Sequence, residues 1–250
     1  SDPACMEQAA GLAAEYAGAD IVDINMGCPV PKVAQHGDGS GLMRTPELAV
    51  RVAEAVIRGA GGRPVTVKCR LGWDKGSINC VAFAQAMEAA GVSAIAVHGR
   101  TKTQMYSGRA NWDYIRAVKE AVRIPVIANG DVFSPQDALR SLAYTGADMV
   151  MIGRGCFGNP WLFQQCAAAL AGEEIPPRPP LAERVETAVR QFRLAAEQKG
   201  EHIACLEARK HYAWYLKGVP YASYYKEQIS HISTLEDIAR ITAGIQRDLT

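Results

Sequence analysis

Five groups of reactive or polar side chains in this chain each end or follow a short apolar run, and together they could carry out one reaction. Asp23-Ile24-Asn25-Met26-Gly27-Cys28-Pro29 puts a thiol directly after such a run, on a turn stiffened by Gly and Pro. An ordinary thiol titrates near about 8.5, stays mostly protonated at neutral pH and can donate a proton. A cysteine taken at random is more often a small buried hydrophobe. Here the Gly-rich stretch 35–41 follows, which predicts a mobile lid and favours a functional thiol. Lys68 and Arg70 flank Cys69, so strand geometry sends their side chains the same way. A lysine inside an apolar run needs an anionic or electron-rich partner, either an internal ion pair or a bound ligand. His98 and Arg100 end the next run and strengthen the ligand reading, although His98 alone would read as a satisfied core histidine. Asn129-Gly130-Asp131 and Gly153-Arg154-Gly155 end two further runs. Glycine there lets backbone N–H groups approach an anion at a helix N-terminus.

The surrounding pattern says what must position these groups. The runs at 19–25, 64–68, 94–98, 124–128 and 147–152 are β-branched and too short for helices. Their continuous apolarity predicts parallel strands buried on both faces. Amphipathic stretches lie between them, and Thr45-Pro46 and Ser134-Pro135 read as an N-cap followed by Pro at the first helical position. Such βα units predict a parallel α/β fold, where function gathers at the carboxyl ends of strands. Residues 173–180 form a stiff Pro-rich linker. Beyond it, 181–199, 203–217, 221–231 and 235–248 read as amphipathic helices, with Thr234 and Asp237 making a capping box. The expected organisation is a catalytic domain over 1–172, the linker over 173–180 and a helical domain over 181–250.

Composition narrows the class. The 250 residues carry 27 Lys and Arg against 26 Asp and Glu, so a nucleic-acid partner would have to be met by a local basic face. With 48% hydrophobic and 21% charged residues the chain is neither a long disordered segment nor a coiled coil. No apolar stretch approaches about 18 residues, so no membrane span is expected. The first residues lack a signal-peptide pattern, and seven cysteines without a CxxC pair argue against zinc and disulfides. Both features suit a reducing cytoplasm. Arg100, Lys102 and Arg109 bracket an acid-free loop. Arg209, Lys210, His211 and Lys217 share the tail with Tyr212, Trp214 and Tyr215, of which Trp214 and Tyr215 read as core. Arg209 and Lys210 are the better candidates for contact with a phosphate.

The segments beginning at Asp23, Val67, Val97, Asn129 and Ile152 occur in the order and spacing of tRNA-dihydrouridine synthases. The chain most resembles the bacterial B-type branch over essentially its whole length, and residues 209–218 resemble that family's RNA-contacting tail. The resemblance implies a TIM (β/α)8-type barrel with five βα units present and the first three strands missing, followed by a C-terminal helical bundle. It implies flavin-dependent reduction of specific tRNA uridines to 5,6-dihydrouridine, with FMN as cofactor and NADPH or NADH as reductant. Cys28 matches the family's general acid, giving a proton to C5 while reduced flavin delivers hydride to C6 of a flipped-out base. Lys68 matches a contact to the flavin ring, and His98 would lie beside that ring. Asn129, Gly130, Asp131, Gly153 and Arg154 match the ribityl-phosphate site. Asn25, Arg70, Arg100, Lys102, Arg209 and Lys210 are expected at the tRNA substrate. No metal and no obligate protein partner is implied. Pro31 stands where relatives often carry Lys, and Tyr225-Lys226 where an Arg is common, changes expected to alter tRNA affinity and not chemistry. In the family's layout Ser1 follows the third barrel strand, so about 70 residues of barrel are expected to be lacking and the chain alone to fold poorly. Two rival readings are an FMN barrel oxidoreductase acting on a small molecule and a non-catalytic RNA-binding remnant. The Gly-Cys-Pro turn and the basic tail argue against the first.

Overall fold

A computed structural model describes residues 1–250. They divide into two compact units, Ser1–Gly153 and Arg154–Thr250. In the first unit, helices α1 (Pro3–Tyr16) and α2 (Pro31–Ala34) flank strand β1 (Val22–Met26). There follow α3 (Pro46–Gly59), β2 (Val65–Cys69), α4 (Cys80–Ala89), β3 (Ala94–His98), α5 (Trp112–Ala121), β4 (Val126–Asn129), α6 (Pro135–Thr145) and β5 (Met149–Met151). The five strands form one parallel sheet in chain order, so each pairs with its sequence neighbours and β1 and β5 are the edges. Strand positions agree with the apolar runs to within about three residues, the usual uncertainty of element ends.

The register decides which side chains share a face. Asn25 lies opposite Lys68, Lys68 opposite Ala96, and His98 opposite Asn129. One face of the sheet is apolar: Ile24, Met26, Val67, Cys69, Ile95, Val97, Val126 and Ala128 are buried in a core shared with Val52, Phe83, Met87, Ile115 and Val118 of the helices. Fully burying each large side chain of that kind stabilises the fold by about 1.5–3 kcal/mol. The opposite face carries Asp23, Asn25, Thr66, Lys68, His98 and Asn129. Burial on both faces, expected from the runs, therefore holds for β3 and fails for the edge strand β1, whose Asp23 and Asn25 are exposed. The cause is period-two alternation: polar residues inside the runs fall on one face and leave it open to ligands.

The Gly-rich stretch 35–41, expected to be a mobile lid, makes a turn at 35–37 and then enters a 3-10 helix, Gly39–Arg44, whose first five residues are buried. Its glycines serve close packing. Gly39 has φ +55, and a Cβ there would stand 2.9 Å from Cβ of Cys28. Ser134 caps α6 as expected, accepting from the Asp137 N–H. Thr45 precedes Pro46 at the start of α3 but caps with its carbonyl, which accepts from Leu48 and Ala49, and not with its hydroxyl. After Gly153 the chain makes a single 3-10 turn, Arg154–Cys156, and not the α-helix start expected there.

The second unit continues with α7 (Leu162–Ala171), residues 173–180 without helix or strand, then α8 (Leu181–Lys199), α9 (Glu201–Tyr215), α10 (Ser223–Ser230) and α11 (Leu235–Leu249). The last four share a core of Phe192, Tyr212, Tyr215, Leu216, Ile229, Ile241 and Ile245. Tyr215 is core and its hydroxyl donates to Gln191, whereas Trp214 is half-buried and stacks on Phe157 at 4.2 Å. No helix is long and apolar enough to cross a membrane. Thr234 and Asp237 form the capping box at the start of α11. Replacing Thr234 with Ala should destabilise the protein by about 1 kcal/mol, measured by urea unfolding, and an unchanged midpoint would contradict the cap.

Candidate active site

Cys28 owes its position to two neighbours. The Asn25 side-chain oxygen accepts from the backbone N–H of Gly27 at 3.1 Å and of Cys28 at 3.0 Å, an Asx turn at the end of β1. The Cys28 carbonyl accepts from both the N–H and the hydroxyl of Ser40, at 3.1 and 2.8 Å, which ties the turn to the buried 3-10 helix. The thiol is half-buried on this fixed turn.

Behind it lie two buried guanidiniums. Arg70 is 2% exposed; its Nε donates to the Gly27 carbonyl and one terminal nitrogen to the carbonyls of Thr101 and Met105, all at 2.9 Å. Arg100, also 2% exposed, donates to the carbonyls of Ser107 and Gly108, and one terminal nitrogen lies 2.8 Å from both carboxylate oxygens of Asp131 in an ion pair. The same carboxylate accepts from the Ala110 N–H at 2.7 Å. Another Arg100 nitrogen lies 3.4 Å from Nε2 of His98. Since the guanidinium can only donate, Nε2 must accept and the proton sits on Nδ1. Burial, reinforced by the positive charges of Arg70, Lys68 and Arg100, pushes His98 down to about 3, so the ring is neutral. Lys68, half-buried on the open face, is likewise lowered, chiefly by burial.

At the end of β4, Gly130 has φ +124, and a Cβ would meet Ala110 at 2.7 Å and the His98 ring at 3.1 Å. Only glycine fits, and its N–H has no acceptor among the hydrogen bonds of the chain. Asn129 donates to the Met151 carbonyl at 2.9 Å, fixing the last two strands together.

The family model described as dihydrouridine synthase (Dus) matches residues 1–248. The chain belongs to the dihydrouridine synthase family. A probable tRNA-dihydrouridine synthase of Rhizobium leguminosarum bv. phaseoli is 49% identical over 212 residues, 85% of this chain and 64% of that protein. Probable tRNA-dihydrouridine synthase 1 of Synechocystis sp. is 44% identical, covering 88% of this chain and 61% of its own length. The tRNA-dihydrouridine synthase B of Pasteurella multocida is 43% identical over 87% of this chain and 65% of its own. The chain thus spans just under two thirds of the length of these relatives.

Within this family member the expected site residues divide by what they touch. Cys28, Lys68, His98, Asn129 and Gly130 gather at the carboxyl ends of adjacent strands. Asn25 grips the Cys28 turn. Arg70 and Arg100, expected at substrate, donate to loop carbonyls, and Arg100 also to Asp131. Asp131, expected at the phosphate, accepts from Arg100 and from the Ala110 N–H. Gly153 closes the first unit, and Arg154 opens the second as an exposed side chain. Lys102 stands over the Trp73 ring at 4.3 Å, and Arg44 stands over the same ring at 4.7 Å. Arg209 donates its Nε to the Ile232 carbonyl, while Lys210 is exposed. Sequence reading passed over three residues: Ser40, Arg44 and Tyr106. Tyr106 lies beside His98 at 6.4 Å and beneath Arg70 at 5.8 Å. Its only sequence signal was an aromatic in an acid-free loop.

The neutral imidazole has a pH signature. In the unfolded chain His98 titrates near about 6.5. Below that pH the unfolded state binds a proton that the native state refuses, so this contribution to stability is intact above about 6.5 and falls as pH drops toward about 3. The His98 ring signals should stay constant in NMR spectra from about pH 8 to about pH 5, and His98→Gln should flatten the acid slope of stability. A ring midpoint near 6.5 would contradict the burial argument.

Proposed function

We propose that this protein reduces uridine in tRNA to 5,6-dihydrouridine, using FMN and a nicotinamide reductant, NADPH or NADH. The observation that carries this reading is the placing of a fixed, half-buried thiol at the same strand ends as a half-buried lysine and a neutral histidine. On this reading the five strands are an arc of a (β/α)8 barrel, and α8–α11 form a tRNA-binding bundle.

The residues present fit a flavin mononucleotide. Lys68 makes no hydrogen bond or ion pair within the chain, although it is half-buried, and such a cation suits the electron-rich edge of an isoalloxazine ring. The Gly130 N–H, without an acceptor and with no Cβ in front of it, suits a phosphate oxygen. Asn129 and Asp131 hold this region in shape.

When bound, the flavin supplies a hydride to C6 of the uracil ring. Cys28 supplies the other hydrogen: its Sγ–H bond breaks, the proton goes to C5, and the thiolate later recovers a proton from water. The C5–C6 double bond becomes single, so one hydride and one proton balance the product. Asn25 and Ser40 keep the sulfur aimed while the base enters. His98, holding its proton on Nδ1, can donate to the ring or to a base carbonyl without adding charge. Lys102, Lys210 and the remaining donors of Arg209 are the contacts to tRNA phosphates. Seven free thiols suit the reducing cytoplasm, where tRNA is also found, and no protein partner is needed for this chemistry.

The test separates binding from proton transfer. Cys28→Ala should bind FMN and unmodified tRNA as the parent protein does. In a single turnover, however, oxidation of the reduced flavin by tRNA should slow by about 10²- to 10⁴-fold, the usual loss on removing a general acid. A rate within twofold of the parent would remove Cys28 from the mechanism.

A further inference from the structure

Arg184 is the least explained charge in the second unit. It is the fourth residue of α8 and only 8% exposed, yet its Nε is buried without any hydrogen-bond partner. A guanidinium N–H buried without an acceptor is costly, because it has lost water and gained nothing in return. Side chains in a helix lean toward its N-terminus, so Arg184 reaches back over the first turn of α8. The N-cap there is Pro180, which offers no side-chain cap, and the N–H groups of Leu181, Ala182 and Glu183 meet no acceptor. The charge that Arg184 feels from a neighbour is a second cation, Arg178, and both guanidiniums are lowered by burial. Arg178 is held in place by a bond from one terminal nitrogen to the Lys217 carbonyl at 3.3 Å. No carboxylate bonds to either guanidinium; Glu183, the acidic residue of the first turn, is exposed.

We propose that Arg178, Arg184 and the open first turn of α8 form a phosphate-binding site. Two guanidiniums and three N–H groups supply donors alone, and a tetrahedral dianion or a phosphodiester accepts from several at once. Neither arginine was among the residues that the sequence pattern singled out. The proposal bears on tRNA only if the phosphate belongs to a nucleic-acid backbone; its first test does not depend on the reading of the function given above.

Inorganic phosphate is the probe. At ionic strength matched with chloride, phosphate should raise the melting temperature of the parent protein in a saturable way. Arg184→Met should melt higher than the parent without phosphate, because the unpaired charge is gone, and should no longer respond to it. Arg178→Ala, at a position more exposed and tolerant of change, should keep the fold and show a weakened response. A parent protein indifferent to phosphate, or an Arg184→Met variant that responds as the parent does, would overturn the site. Unmodified tRNA distinguishes the source of the phosphate. If the site takes the RNA backbone, the doubly substituted protein should bind tRNA about tenfold more weakly and with a shallower salt dependence. If it takes free phosphate, tRNA affinity should be unchanged while the thermal response is lost. A parent protein that responds to phosphate but does not bind tRNA would remove the tRNA reading and leave the site standing.

Discussion

Two buried arginines under the strand ends hold the rest of the site together. Arg70 ties the turn that carries Cys28 to the loop after β3, and Arg100 ties that loop to the turn after β4 through Asp131. One guanidinium has five donors in a rigid fork, so a single side chain can hold several backbone segments that have no sheet ladder between them. Each bond involving a charged donor is worth about 1.5–3 kcal/mol, and leaving such a donor buried and unpaired costs as much again. The loops at the carboxyl ends of β1 to β4 are therefore joined into one bonded unit.

The same arginines set the electrostatics. Arg70, Arg100 and Lys68 stand near His98, while Asp131 supplies the one negative charge acting on it. The surplus positive charge keeps the imidazole neutral and favours an electron-rich or anionic guest on the open face of the sheet. The thiol of Cys28 is fixed by a different set of bonds, to Asn25 and Ser40. Arg70 also bonds the Gly27 carbonyl beside it, so the turn that carries the thiol is braced both by these bonds and by the cationic cluster.

Much of this was legible in the sequence because it is local. Strand periodicity, the Ser134 cap and the Thr234–Asp237 box are all written within four residues of where they act. The gathering of Cys28, Lys68, His98, Asn129 and Gly130 at strand ends followed from parallel topology alone. What could not be read was the partner of each arginine. Arg70 bonds to carbonyls 31 to 43 residues away, and a carbonyl leaves no mark in a sequence. The Gly-rich stretch 37–41 misled for a related reason: glycine marks both mobile segments and tightly packed ones, and only the neighbour at Cys28 tells them apart. Arg184 was hidden in an ordinary amphipathic pattern, where an arginine usually reads as solvated.

On the proposed function, the fixed thiol and the cationic strand ends form one uridine-reducing site. The direct measurement is mass spectrometry of unmodified tRNA digested to nucleosides after incubation with this protein, FMN and NADPH. A uridine-derived nucleoside heavier by two hydrogens should appear only when protein, flavin and reductant are all present. Flavin bound and reduced, tRNA bound, and no such nucleoside formed would contradict it.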